Sequence, residues 1–579
     1  MTLSGFPDPA AAFIYDYFTR KLYPELNVLL EEGVLSEQKM HELLRDVYDV
    51  SLSRAVELVE QYIMGLSGSK RIRVALIPAG GMFREIVERC DFSGVELVGG
   101  FDSCLTEPGE ISGVPVYPTT QLSKVSPNQI IILSGAYARE IFNSVAGLID
   151  PSKVVIYCPF WDPVSSDDRL AAEIAAINTL CSNNRKAPVI LVTCIRFFSF
   201  LYKRLKALRQ ANAKVILVTL LGDVSHTVNV HEMEDACDYI FSADGHMLNY
   251  LRVLSNTNPD IVHIFANAGS SSIPVIASSV CNKPYVVEYN DLLTNMHDKK
   301  TLAKAIGVKK SRLEFKSEQY LIHHSKGLIY NNHKSAIDHL FDFHSINSPL
   351  LEFSYYPLNK VSDRKQTDNE CKKIRLVFIG GIHHSQYEDY WNNSITQQMF
   401  KMVDILTKQN FTVDIYNAYD SGRTNDFIEF HNKEIQNSNF RYHKAVHPKK
   451  LTEVLLEYDA GLFVHDYKNS QIKKDVIDRT MSSRFFEYLE AGLPIVMSCE
   501  LQFMVNILEK NSLGISIEYD QMQNLSKLLH PQKLSSLQRN VKKYVNKMIM
   551  EKHIHKLIEF YNSAMNQQCK HEKSSLQQE

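Results

Sequence analysis

The stretch SRFFEYLEAGLPIV, residues 483–496, joins a helical pattern to a buried strand pattern. Gly492 and the proline after it end the helix and turn the chain into the strand. A helix N-terminus offers free N–H groups and a positive dipole end to a diphosphate. Arg484 can add a bidentate, charge-assisted bond there, and Glu487, one turn further on, can accept ribose hydroxyls. An ordinary helix–turn–strand unit would explain EYL alone, but the full string favours a binding site for a nucleotide diphosphate.

Outward from this stretch, short β-branched runs alternate with helical stretches in three successive series. Strands that alternate with helices predict parallel α/β sheets. The polar segment VSDRKQTDNECKK, residues 361–373, lacks periodicity and is predicted to be a linker between the last two series. Two similar α/β domains joined by one linker leave a cleft between them, and ligands of open parallel sheets bind beyond the carboxyl ends of the strands.

The domain boundaries follow from these series. We expect a helical N-terminal region at 1–69, a small Rossmann-like domain at 70–165, an α/β domain at 186–360, the linker at 361–373, a second α/β domain at 374–530, terminal helices at 531–566 and a disordered polar tail at 567–579.

The string at 483–496 resembles the C-terminal signature of GT-B-type, family-4-like glycosyltransferases, in which Lys or Arg precedes E-Y-L-x-A-G-x-P-V-V. Further pieces are similar to the same family in order and spacing: IRLVFIGG at 374–381, YDAGLFV at 458–464, PDIVH at 259–263, KPYVVEYND at 283–291 and EQYLIHHSKGLIY at 318–330. The resemblance spans roughly 188–530. It implies a GT-B fold, two Rossmann-like domains facing a cleft, and sugar transfer with net retention at the anomeric carbon.

The resemblance also assigns residues. On the donor side it places Ser483, Arg484, Glu487, His383 and the Gly380-Gly381 turn behind the phosphates. Glu487 and Asn290 are the candidate catalytic residues, and His263 and Asn290 are candidates on the acceptor side.

Three departures from the family pattern bear on these assignments. Many relatives have a first glutamate eight residues before Glu487, where this chain has Arg479. A basic residue after the glycine turn is replaced by Ile382 and His383. The histidine near the reacting centre of several relatives corresponds to Asn290, which can hydrogen-bond a sugar hydroxyl but cannot transfer a proton at neutral pH.

The segment around residues 72–102 predicts a second nucleotide-fold element. A strand leads into Gly80-Gly81, and Asp102 follows about 20 residues later, where a ribose-binding carboxylate would stand. The region resembles the small Rossmann-like domain that precedes sugar O-acyltransferases. Two interpretations stay open: a nucleotide pocket formed by Gly80, Gly81 and Asp102, or a degenerate scaffold for dimerisation or docking.

Composition narrows the class of protein. The 579 residues carry 63 basic and 66 acidic side chains, for a net charge of −3, which argues against a dedicated nucleic-acid binder. Ten scattered cysteines without a C-x-x-C pair indicate thiols in a reducing compartment, and no D-x-D motif for a metal-bound diphosphate occurs. The cysteine pattern favours a cytoplasmic protein, and the family resemblance implies, in agreement with the missing D-x-D motif, that it needs no metal or other cofactor. The segment 197–214 is either a basic helix that docks on anionic lipids at the inner face of the membrane or a helix packed on its sheet with solvated charges.

The sequence thus predicts a metal-independent, retaining glycosyltransferase of surface-polysaccharide or glycoconjugate biosynthesis. Its partners would be a nucleotide sugar and a glycan, lipid-linked or protein acceptor. Two alternatives stay open: a non-catalytic GT-B subunit that binds nucleotide or sugar, and a bifunctional protein whose N-terminal domain modifies the sugar. The donor, acceptor and linkage, and whether the chain forms a homo-oligomer, are not defined by the sequence.

Overall fold

A computed structural model of the chain shows three α/β units in succession. The structure describes residues 72–133, 138–150, 153–158, 166–182, 187–224, 228–243, 247–266, 271–281, 283–289, 292, 299–306, 308–335, 348–361, 373–382, 395–418, 420, 427–467 and 474–575, with isolated helical positions between 56 and 66. Most of the predicted helical region 1–69 and of the linker 361–373 lies outside the described residues.

The first unit, residues 72–158, is built on a mixed sheet. Its strands are β1 (Arg73–Ile77), β2 (Glu96–Asp102), β3 (Gly109–Ile111), β4 (Val114–Pro118), β5 (Gln129–Ile132) and β6 (Val155–Tyr157), and its helices are α1 (Gly81–Arg89), α2 (Leu122–Val125) and α3 (Ala138–Ala146). The strand order is β3-β4-β2-β1-β5-β6. Only the β3–β4 pair is antiparallel among the described strands of this sheet.

Helix α4 (Ser166–Ser182) leads into the second unit, residues 187–361. Its strands are β7 (Val189–Cys194), β8 (Lys214–Thr219), β9 (Asp223–Val224), β10 (Val228–Asn229), β11 (Tyr239–Ser242), β12 (Ile261–Ala266), β13 (Tyr285–Tyr289), β14 (Leu328–Tyr330) and β15 (Leu350–Glu352), and its helices are α5 (Ser199–Gln210), α6 (Met247–Asn256), α7 (Ser272–Val280), α8 (Lys299–Ile306) and α9 (Val308–His324). The parallel sheet has the order β11-β8-β7-β12-β13-β14-β15, and β9 and β10 form a separate hairpin. All six residues of β7 are buried, as expected of a strand covered on both faces.

The third unit, residues 373–548, repeats the plan. Its strands are β16 (Arg375–Gly380), β17 (Thr412–Asn417), β18 (Phe440–His443), β19 (Ala460–Phe463), β20 (Ile495–Ser498) and β21 (Gly514–Ile517), and its helices are α10 (Ile395–Thr407), α11 (Ile428–Gln436), α12 (Pro448–Leu455), α13 (Lys474–Arg479), α14 (Ser483–Glu490), α15 (Gln502–Lys510), α16 (Leu525–Leu528) and α17 (Pro531–Met548). Its parallel sheet has the order β18-β17-β16-β19-β20-β21.

The last helix returns the chain to the second unit. Helix α17 packs in the third unit, whereas α18 (Ile554–Ser575) places Leu557 and Tyr561 in the same apolar cluster as β7, β8 and β12. It extends beyond residue 566, where the sequence analysis ends the helices and begins a disordered tail. Glutamine and lysine are common in that stretch and propagate a helix readily.

Each sheet changes direction at one point in its strand order. Successive strands run outward on one side of β7 and then on the other, and the same reversal falls between β16 and β19 and between β1 and β5. A crevice forms at the carboxyl ends of such strands. The observed architecture confirms the predicted α/β fold class, with two facing Rossmann-like units and a smaller one before them. No helix of the described residues is long and apolar enough to span a bilayer.

Candidate functional site

The reversal point of the third sheet carries the glycine turn found in the sequence. Gly380 ends β16 with a φ of 145°, a conformation that L side chains rarely adopt. A Cβ there would overlap the guanidinium of Arg484. The turn therefore needs glycine for two reasons, its backbone conformation and the close approach of an arginine. Gly381 follows it directly, beside the buried Ile382.

Arg484 lies in the first turn of α14, which begins at Ser483. The Oγ of Ser482 caps this helix by accepting from the Arg484 N–H at 3.3 Å. The guanidinium lies over the rings of Phe378 and Phe463, 4.5 and 4.8 Å from their centroids. These two residues belong to β16 and β19, so the cation sits at the ends of the two strands that part. The N-terminus of α14, the Arg484 guanidinium and the glycine turn thus meet at one place.

His465 is a member of this site that the sequence analysis missed. Its Nε2 lies 3.3 Å from Nη1 of Arg484, and its backbone N–H donates to Oγ of Ser498 at 2.7 Å. Burial, together with the charge of Arg484, lowers the pKa of His465 to about 3. The imidazole is therefore neutral at physiological pH and accepts a hydrogen bond from the guanidinium. The available signal was its position just after a buried strand that resembles the donor-side strand of the family.

The Tyr488 hydroxyl bridges β16 and β19 at the point where the two strands separate. The two strands pair at Leu376–Ala460 and Val377–Gly461 only. Beyond this point the Tyr488 hydroxyl accepts from the Ile379 N–H at 2.9 Å and lies 2.9 Å from the carbonyl oxygen of Leu462. The hydroxyl therefore replaces the missing ladder bonds where the strands separate.

Glu487 lies on the side of α14 that meets the second unit. One of its carboxylate oxygens accepts from Nζ of Lys203 in α5 at 2.6 Å, and the same ammonium lies 2.5 Å from Glu490. Burial raises the pKa of Glu487, the charge of Lys203 opposes the rise, and Glu490 adds to it. The ribose-binding role of Glu487 stays a prediction, and Lys203 is a second residue that the sequence analysis did not single out.

The loop after β14 brings the second unit to the start of α14. The Met481 N–H donates to Oδ1 of Asn332 at 2.9 Å, and the His333 N–H donates to the Arg479 carbonyl at 3.1 Å. Carboxyl-end residues of the second sheet therefore contact the segment that leads into the arginine helix. The expected cleft between two facing units is bordered by these contacts.

His263 is placed away from the donor-side residues. Its ring is 1% exposed beneath α18, with Nδ1 2.8 Å from the Tyr561 hydroxyl and Nε2 3.1 Å from Glu288. Arg204 also bonds Glu288. Burial alone would raise the pKa of Glu288, but Arg204 and His263 hold it below its ordinary value. A contact between His263 and an acceptor stays a prediction. Asn290 and His383 lie outside the described residues.

Gly80 and Gly81 follow β1, and Asp102 ends the neighbouring parallel strand β2 at the same edge of the first sheet. Gly80 precedes α1, whose first residue is Gly81, and a Cβ on Gly80 would meet nothing within 4 Å. Asp102 ends β2 and accepts from the Cys104 N–H at 2.9 Å, so one carboxylate oxygen closes its own turn. These positions fit both interpretations of the domain, which stay open. Among the described residues, no group of three or more His, Cys, Asp or Glu could hold a metal ion.

Comparison with known proteins adds structural neighbours. No protein-family model and no curated protein matches the chain. It is similar in structure to a glycosyltransferase from Rickettsia africae (12% identity, 66% of this chain and 99% of that one, TM-score 0.43). It is also similar to a UDP-glucosyltransferase from Polygonum tinctorium (8%, 65% and 99%, TM-score 0.38) and to the glycosyltransferase SnogD from Streptomyces nogalater (14%, 65% and 100%, TM-score 0.35). All three TM-scores are below 0.5 and all three identities are 14% or lower.

Fold and site together define a class of protein with two facing parallel α/β units. In the third unit of this chain, the Arg484 guanidinium, a helix N-terminus and a glycine turn lie where the strand order reverses. Such a crevice suits a phosphorylated nucleotide.

Proposed function

We propose that the chain is a glycosyltransferase that moves a sugar from a nucleotide-diphosphate donor to an acceptor hydroxyl. The observation that carries the proposal is the position of Arg484 against Gly380, at the N-terminus of α14 and at the carboxyl ends of β16 and β19. The diphosphate would lie along the Gly380-Gly381 turn. Arg484 and the positive end of the α14 dipole would neutralise it as the leaving group.

Three finer features belong to the same proposal. Protein cations and the helix dipole would take the part that a metal ion plays in other transferases, since the sequence has no D-x-D motif. Transfer would retain the anomeric configuration, as the family-4-like signature implies, and proton NMR of the product's anomeric centre tests this. The acceptor would be a growing surface glycan or glycoconjugate that enters from the side of the second unit.

Thermal unfolding with a panel of UDP-, GDP-, dTDP- and CMP-linked sugars tests the proposal. A ligand at ~100 times its dissociation constant adds about 2.7 kcal/mol to the stability of the protein, which gives a clear rise in melting temperature. We expect one nucleotide class to stabilise the wild-type chain and R484M to lose that effect.

The matched control is R539M, because Arg539 is exposed on α17, where its Nε donates to the carbonyl of Ser535 in the same helix. It should respond to the nucleotide sugar as the wild type does. Absence of stabilisation by every nucleotide sugar would contradict the proposal.

A further inference from the structure

Lys203 joins the second unit to the helix that carries the donor-side residues. It lies on α5, and its ammonium contacts Glu487 at 2.6 Å and Glu490 at 2.5 Å, 284 and 287 residues further along the chain. The Lys203 side chain is 13% exposed. Burial alone would lower the pKa of Lys203, but the two carboxylates hold it above its ordinary value. The ammonium is therefore charged at any physiological pH.

Glu487 and Glu490 differ in their other hydrogen-bond partners and in their burial. The second oxygen of Glu490 accepts from the backbone N–H groups of Leu358 and Asn359, at 3.2 and 3.0 Å, just before the chain passes to the third unit. Glu490 is also the more buried, with 1% of its side chain exposed against 10% for Glu487. Glu490 thus bonds the connection between the units, whereas a tenth of the Glu487 side chain stays exposed.

Glu487 and Arg484 lie on the same face of α14. Arg484 and Glu487 are three residues apart on α14, so they stand one above the other on neighbouring turns, about 5 Å apart along the axis. A ribose hydroxyl donates to an ionised carboxylate far better than to a neutral acid. The Lys203 ammonium, 2.6 Å from Glu487, favours the ionised form of that carboxylate.

We propose that Lys203 is a positioning residue for the donor: from the second unit it keeps Glu487 ionised and oriented toward the ribose hydroxyls, so that the nucleotide is bound fully only when the two units are in contact. This inference rests on the proposed function and adds a residue to its donor site. Lys203 itself contacts the carboxylates and not the nucleotide.

Calorimetric titration with UDP, GDP and ADP and with their 2′,3′-dideoxy forms tests the inference. The wild type should bind the ribonucleotide of its own base at least about tenfold more tightly than the dideoxy form, because a charged hydrogen bond is lost. K203M should lose that preference and still bind both forms through Arg484. K203R should retain most of it. Lys206, one turn on from Lys203, pairs with Asp235, so K206M should behave as the wild type.

The pH profile separates positioning from a general loss of structure. In K203M the pKa of Glu487 is raised by burial and by Glu490 without the opposing ammonium, so affinity for the ribonucleotide should recover as pH rises and the carboxyl ionises. The rise should be smaller in the wild type, because there the Lys203 ammonium opposes the upward shift of the Glu487 pKa. Should K203M fail to fold, E490Q and K203M/E490Q allow the same comparison with one buried carboxylate fewer.

The results of these titrations distinguish failure of the inference from failure of the proposed function. Unchanged ribose preference and an unchanged pH profile in K203M would overturn the inference and leave the proposed function standing. Binding of no nucleoside diphosphate by the wild type would overturn both.

Discussion

Arg484 is oriented in part by a neutral imidazole, and this has a consequence for stability. His465 accepts from the guanidinium without adding charge, because burial and the charge of Arg484 hold its pKa at about 3. In the unfolded chain the pKa returns to 6.5. The folded-state pKa is the lower one, so the neutral ring stabilises the fold fully above pH 6.5, and this contribution is lost as pH falls toward 3.

We expect the wild type to lose about 2 kcal/mol of unfolding free energy through His465 between pH 7.5 and pH 5, since one pKa unit corresponds to about 1.4 kcal/mol. Urea unfolding at both pH values measures it. H465Q keeps an acceptor and cannot titrate, so its loss should be smaller by that amount. H431Q is the control, because the His431 ring is half exposed on α11. Equal losses in the wild type and H465Q would show that His465 does not stay neutral.

At the scale of elements, the crevice depends on how two strands separate. The sequence predicted β16, the glycine turn, β19 and the helix around Arg484, because each of them is encoded within a few neighbouring residues. It did not predict that Tyr488 would bridge the separating strands. That role follows from strand order, which a periodic pattern does not contain. The sequence did not predict the contacts of His465 and Lys203 for the same reason, since their partners lie 19 and 284 residues away.

Tyr488→Phe tests whether the hydroxyl replaces the missing ladder bonds. Removing it leaves the buried Ile379 N–H without that acceptor, which should cost about 1–3 kcal/mol of unfolding free energy. Y416F is the matched control, because the Tyr416 hydroxyl bonds another hydroxyl, that of Tyr458, and should cost less. Chemical denaturation measures both. A Y488F cost no greater than that of Y416F would mean that the strands need no bridge.

At the scale of the molecule, the C-terminal helix α18 covers part of the second unit, which lies in the middle of the chain. The sequence predicts amphipathic helices at 531–566 but does not assign them to a unit, because an apolar face alone does not indicate which sheet it covers. In the structure α17 belongs to the third unit and α18 to the second. The chain therefore crosses between these units twice, and Glu490, Lys203 and α18 all connect them.

Removal of α18 should consequently unfold the second unit, although the helix lies far from it in sequence. Leu557, Phe560 and Tyr561 would leave the apolar cluster over β7 and β12, and His263 would lose the Tyr561 hydroxyl in a site that also buries Glu288. Uncovering a buried charged network and several large side chains should cost an amount comparable with the ~5–15 kcal/mol that typically stabilises a domain. We expect a chain that ends at residue 553 to lose its cooperative thermal transition and to be cleaved by trypsin within residues 187–361. A chain that ends at residue 575 should melt as the full chain does.

Y561F, which keeps the ring and removes the hydroxyl bond to His263, should fold with a loss of about 1–2 kcal/mol of unfolding free energy. A chain ending at 553 with an unchanged melting curve would show that the second unit does not need the helix.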